Sequence, residues 1–110
     1  LFTRRYPGQC DGGPFHGQET AYVFGNLGTR LWADRHPPAF NEVDRDLSRV
    51  MLKTWLAFAR TGDPNHAGIP KWECFDPHQD NFLEFGDTVQ IGSKWREGPL
   101  AFLDDYFGKP

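Results

Sequence analysis

No stretch of this 110-residue chain approaches the run of roughly 18 apolar residues that a membrane-crossing helix requires, so no span is expected. A basic surplus is also missing: 12 Lys+Arg face 15 Asp+Glu for a net charge of −3, which argues against a nucleic-acid or anionic-membrane binder. The only two cysteines, Cys10 and Cys74, have no C-x-x-C spacing and read as free thiols, with a single bridge between them as the alternative. There is no H-E-x-x-H; Cys74-x-x-x-His78 with His66 upstream lacks a fourth ligand, and these histidines read as loop residues, as does His36 beside Pro37. The only serines, Ser48 and Ser93, lie outside any G-x-S-x-G, so the chain has no nucleophile elbow of its own. Gly12-Gly13 lacks the spacing and the lysine of a phosphate loop, and no metal or organic cofactor is implied. The first residues, Leu1 to Pro7, carry neither an initiating methionine nor a signal-peptide core and open within a strand-like segment, so the chain reads as a piece of something longer.

What the chain does have is 17 aromatic residues (4 Trp, 3 Tyr, 10 Phe), more than its loops can use. It also has 12 Gly and 9 Pro, which make much of it turn and loop. Residues 2–6 are β-compatible and end at Pro7-Gly8, and 7–15 are loop. Gln18 to Phe24 suits a short helix closed by Gly25-Asn26, and 27–41 reads as surface loop. Between Glu42 and Thr61, Val43, Leu47, Val50, Met51, Thr54, Ala57 and Phe58 fall on one arc at helical spacing, with charged residues opposite. Asn41 is placed to cap that helix and Gly62-Asp63-Pro64 to stop it. Trp55, Leu56 and Ala59 widen its apolar side, as though its last turns were covered from two directions. Phe82–Phe85 and Thr88–Ile91 flank Gly86-Asp87 as a small hairpin, and 99–107 forms a terminal helix opened by Pro99. The sum is α/β in character, with too few strands for a sheet of its own.

One histidine stands apart. His16 lies in Gly12-Gly13-Pro14-Phe15-His16-Gly17, after the first strand-like segment and before the short helix. A loop held between two regular elements is where folds present reactive groups, although a lone histidine in such a loop is more often a turn residue.

The segment Phe15-His16-Gly17-Gln18-Glu19-Thr20-Ala21-Tyr22-Val23-Phe24-Gly25-Asn26 resembles the histidine motif of type-B carboxylesterases, the family of cholinesterases and bacterial para-nitrobenzyl esterases. Leu47-Ser48, Trp55, Phe58-Ala59 and Thr61-Gly62-Asp63-Pro64-Asn65 resemble the same family's long helix and its stop, and Lys71-Trp72 and Phe82–Phe85 follow in order. Thr20, where an apolar residue is commoner, and Glu73, in place of the usual proline, are mild departures. The resemblance spans nearly the whole chain. It implies the C-terminal portion of an α/β-hydrolase fold: last sheet strand, catalytic-histidine loop, long covering helix, small hairpin and terminal helix. Residues 1–110 would then be one segment of a single hydrolase domain.

In that fold the triad runs Ser, then Asp/Glu, then His along the chain, so the serine elbow and the acid would lie upstream of Leu1. The implied activity is hydrolysis of small carboxylic esters through a serine acyl-enzyme, with His16 as the triad histidine. Imidazoles in general titrate near pH 6.5, which suits proton exchange at neutral pH. The same resemblance implies a structural acid at Glu19, bonding backbone or a buried polar group, while Tyr22 and Phe24 read as core residues. Phe15 would line the pocket or pack on the sheet. The fragment alone, lacking two triad members, is expected to be inactive. Two rivals stand beside this reading. One is a non-enzymatic binding or adhesion member of the same fold, distinguished by whether a G-x-S-x-G serine lies upstream. The other is an unrelated small domain, distinguished by a cooperative melt of the isolated chain.

Overall fold

A computed structural model describes residues 1–9, 12–28 and 39–108. Its elements in order are α1 (Glu19–Val23), α2 (Glu42–Thr61), β1 (Asn81–Phe85), β2 (Val89–Ser93) and α3 (Glu97–Phe107).

The long helix takes the limits its sequence sets. Asn41 accepts from the Asp44 backbone N–H, while the Asp44 carboxylate accepts from the Asn41 backbone N–H, a reciprocal capping box. At the other end Gly62 adopts φ 76°, and its N–H bonds the Phe58 carbonyl at 2.7 Å, a left-handed stop that glycine takes without strain. The helix buries Asp44, Leu47, Ser48, Met51 and Thr54, the spacing of a single stripe. That stripe packs on α1, where Ser48 donates to the Tyr22 carbonyl at 2.8 Å. The core is Tyr22, Val23, Leu47, Met51, Leu83 and Phe85, with Leu27, Phe40 and Trp72 packed against it. Leu27 and Phe40 therefore belong to the core margin rather than to a surface loop; residues 29–38, His36 among them, lie outside the described residues.

The hairpin forms, but one residue longer at the turn than expected. Phe85 pairs with Val89, so Gly86, Asp87 and Thr88 all belong to the connection, with the Gly86 N–H on the Thr88 carbonyl at 3.1 Å. The segment at 2–6 is not a full strand. Phe2 makes one parallel bridge to Phe85, fixed by bonds of 2.9 Å from the Thr3 N–H and 2.7 Å to the Leu1 carbonyl. Beyond it the backbone of Arg4 and Tyr6 bonds side chains instead of a neighbouring strand. Helix α3 starts two residues before Pro99, which stands third in it, with Arg96 in a left-handed turn at its entry.

Several apolar side chains stand exposed on this segment. Phe24 is 69% exposed, because α1 ends at Val23 and Phe24 leaves the face that Ala21, Tyr22 and Val23 bury. In the last turns of α2, Trp55, Leu56 and Phe58 are 45%, 45% and 57% exposed on this segment, and Trp55 meets the Phe85 ring at 5.8 Å. Phe15 is 42% exposed on this segment. Helix α3 buries none of its residues.

Candidate active site

His16 occupies the turn that leads into α1, just ahead of Gly17, whose φ of 82° redirects the chain into the helix. The ring is exposed and makes no hydrogen bond or ion pair among the described residues. What fixes its position is the backbone on either side. Gln18, 3% exposed at the helix entry, accepts from the Phe15 N–H at 3.2 Å and donates to the Arg4 carbonyl at 3.1 Å. Its amide also exchanges two 2.9 Å bonds with the amide of Gln9.

Beneath this loop lies a charged network that sequence reasoning missed. Arg4, 6% exposed, donates from Nε to Asp44 Oδ1 at 2.7 Å, from Nη1 to Asp87 at 2.6 Å, and from Nη2 to Asn41 at 3.2 Å. The Tyr22 hydroxyl donates to the same Asp44 oxygen at 2.8 Å. Asp44 is fully buried. Burial alone would push its carboxyl up, but the hydrogen bonds from Arg4, from the Asn41 backbone and from Tyr22 outweigh that and hold it below the ordinary aspartate range. Burial, reinforced by the bond to Asp44, pushes the Tyr22 hydroxyl well above the ordinary tyrosine value. The network ties the first segment, α1, α2 and the hairpin turn together under the His16 loop.

The structural role expected of Glu19 has no counterpart among the described residues. Glu19 is half-buried and has no hydrogen-bond or ion-pair partner among the described residues; the acid that bonds backbone and buried polar groups is Asp44. His66 makes its contacts away from the His16 loop. His66 meets Thr54 Oγ1 at 3.0 Å and accepts from the Gly68 N–H at 3.1 Å, a link between α2 and the loop after it. Among the described residues no group of three His, Cys, Asp or Glu is placed to hold a metal ion. Cys74 is exposed and free, and Cys10 lies outside the described residues.

The fold of this chain recurs in solved structures of α/β-hydrolase esterases. A polyester-hydrolysing esterase from Clostridium hathewayi superposes with a TM-score of 0.71 at 24% identity, over 96% of this chain and 19% of that one. A PNB esterase gives 0.74 at 20% identity, over 93% and 20%. The fold is thus that of a portion of an α/β hydrolase. Residues 3–103 match the carboxylesterase family profile, and human carboxylesterase 3 is 38% identical over 93 residues, 82% of this chain. The pyrethroid hydrolase Ces2e of Rattus norvegicus is 36% identical over 87 residues, 79% of this chain. The chain belongs to the carboxylesterase family. It spans 16% of the length of human carboxylesterase 3 and 14% of the rat hydrolase.

Proposed function

We propose that residues 1–110 are the C-terminal segment of one serine carboxylesterase domain and that His16 is its triad histidine. The observation that carries this reading is His16 itself: an exposed imidazole with no partner among the described residues, flanked by a Phe15 N–H bonded to the Gln18 amide and a Gly17 carbonyl bonded to the Thr20 N–H. A general base must be held in place yet keep a ring nitrogen open to the group it deprotonates. In the proposed cycle a serine supplied upstream gives its proton to His16 as its oxygen attacks the ester carbonyl. His16 returns that proton to the departing alcohol, leaving an acyl-serine. It then deprotonates the water that attacks the acyl-serine, and hands that proton to the serine as the carboxylate leaves. An upstream carboxylate would orient the ring and stabilise the imidazolium. The partners are therefore the upstream part of the polypeptide and a small-molecule ester.

The surface of the chain supports a larger body. Trp55 and Phe58, with Thr54, Pro64 and Trp72, line an apolar cleft of about 310 Å³, and Leu100, Phe102, Leu103, Tyr106 and Phe107 stand 44–77% exposed on α3. Exposed apolar groups on this scale mark surfaces that meet other polypeptide.

His16→Ala in the full-length protein should lower hydrolysis of p-nitrophenyl acetate by roughly 10⁴-fold or more, with little change in melting temperature. Unchanged turnover would remove the assignment. The isolated 110-residue chain should not turn over this ester.

A further inference from the structure

The amides of Gln9 and Gln18 form a closed unit. Each donates to the other's oxygen at 2.9 Å. The second N–H of Gln9 goes to the Gly13 carbonyl at 3.0 Å and that of Gln18 to the Arg4 carbonyl at 3.1 Å. The second lone pair of Gln9 accepts from the Tyr6 N–H at 3.3 Å and that of Gln18 from the Phe15 N–H at 3.2 Å. Every donor and acceptor site of both amides is used, and flipping either amide would set donors against donors and oxygen against oxygen. The backbone groups taken are a carbonyl and the N–H two residues later on each side: 4 with 6, and 13 with 15. That is the pairing edge an extended segment offers to a neighbouring strand. Phe2 already uses the other edge for its bridge to Phe85. The two side chains thus stand in for a strand between the first segment and the limb that ends at His16.

We propose that Gln9 and Gln18 are positioning residues for His16: their amide pair splices the histidine limb onto the segment bridged to β1, and so fixes where the imidazole stands. The inference rests on the reading of His16 as the triad base. It explains how a loop rich in left-handed glycines, with φ of 84° at Gly8, 81° at Gly13 and 82° at Gly17, presents one ring in one place. Gln18 is buried and Gln9 half-buried, so water does not readily replace the bonds of the inner amide.

The test uses the full-length protein. Gln18→Met keeps the length of the side chain and removes all four amide bonds. Amide exchange over residues 12–18 should accelerate at least tenfold. At a temperature well below the melting transition, kcat on p-nitrophenyl acetate per mole of folded protein should fall roughly 10- to 100-fold with KM within about twofold, the effect of a misplaced base. Gln9→Met, at the less buried partner, should give a similar loss of kcat, and the double variant no more than the larger single loss, because the two amides act as one unit. Exchange unchanged in both single variants would overturn the clamp. Faster exchange with unchanged kcat would overturn the positioning role and leave a purely structural one. Failure of the His16 reading is seen separately, as activity surviving His16→Ala.

Discussion

Asp44→Ala should be among the most damaging single changes in this segment. The carboxylate is fully buried and accepts from the Arg4 guanidinium at 2.7 Å, the Tyr22 hydroxyl at 2.8 Å and the Asn41 N–H at 2.8 Å. Removing it strands three donors at once. Tyr22 is fully buried and Arg4 nearly so, and Arg4 keeps only the exposed Asp87 and the long 3.2 Å bond to Asn41. Each orphaned buried donor costs about 1–3 kcal/mol, and breaking one side of a buried ion pair about 3–5. These overlap, because water entering the vacated space can serve more than one donor, so a total of about 3–5 kcal/mol is expected. In urea denaturation of the full-length protein, followed by tryptophan fluorescence, this lowers the midpoint of the transition reporting this segment by roughly 1–2 M at a slope of about 2–3 kcal/mol/M. A shift under about 0.3 M, with unchanged slope, would refute the claim that this carboxylate holds the first segment, α1 and α2 together.

Stability should also carry an acid limb from the same group. The folded carboxyl titrates below its unfolded value near 3.9, so its contribution is complete above about pH 4–5 and is lost as the pH falls through the depressed folded value. Glu84, held low by the Thr3 hydroxyl and Gln90, adds in the same sense. Urea midpoints measured from pH 2 to pH 6 should show this slope, and Asp44→Asn should flatten it. Leu83→Ala empties a fully buried position in β1 and should cost about 2–5 kcal/mol in the same denaturation assay; a loss below 1 kcal/mol would show that the core around Tyr22, Met51 and Phe85 can collapse into the space.

The parts of the fold that were legible in the sequence are those whose causes are local. Helix α2 could be bounded at both ends because Asn41 and Gly62 act on the residues beside them, and its buried stripe follows from helical spacing. The hairpin was legible for the same reason, although its turn took in Thr88. Contacts between distant residues left no comparable trace. Arg4 and Asp44 are 40 positions apart, and each alone resembles an ordinary surface charge. Gln9 belongs to no motif, and Gln18 lies inside the histidine motif without a role that its residue type announces; their partners are backbone groups of a loop whose path the sequence does not specify. The one available signal was the placement of Asp44 in the first turn of α2, where an acid suits the positive end of the helix dipole, and it carries no sign of the burial that makes Asp44 an anchor. Phe24 and Trp55 stand exposed on this segment because apolar character states that a side chain favours burial, not which body buries it.

Arg4 joins two functions that can be separated experimentally. Its guanidinium is one pole of the buried ion pair with Asp44, while its carbonyl is one of the four backbone groups held by the amide pair. A side-chain variant on the first limb changes the free energy of the folded state, but where the protein remains folded the carbonyl still meets Gln18. A variant on the second limb leaves the ion pair in place and frees the loop. Asp44→Ala should therefore lose stability while kcat per folded molecule stays within about threefold of the parent, and Gln18→Met should lose kcat out of proportion to its loss of stability. If both variants fell on one line of activity against stability, the His16 loop and the network beneath it would be a single cooperative unit, and the amides would have no role of their own in setting the imidazole.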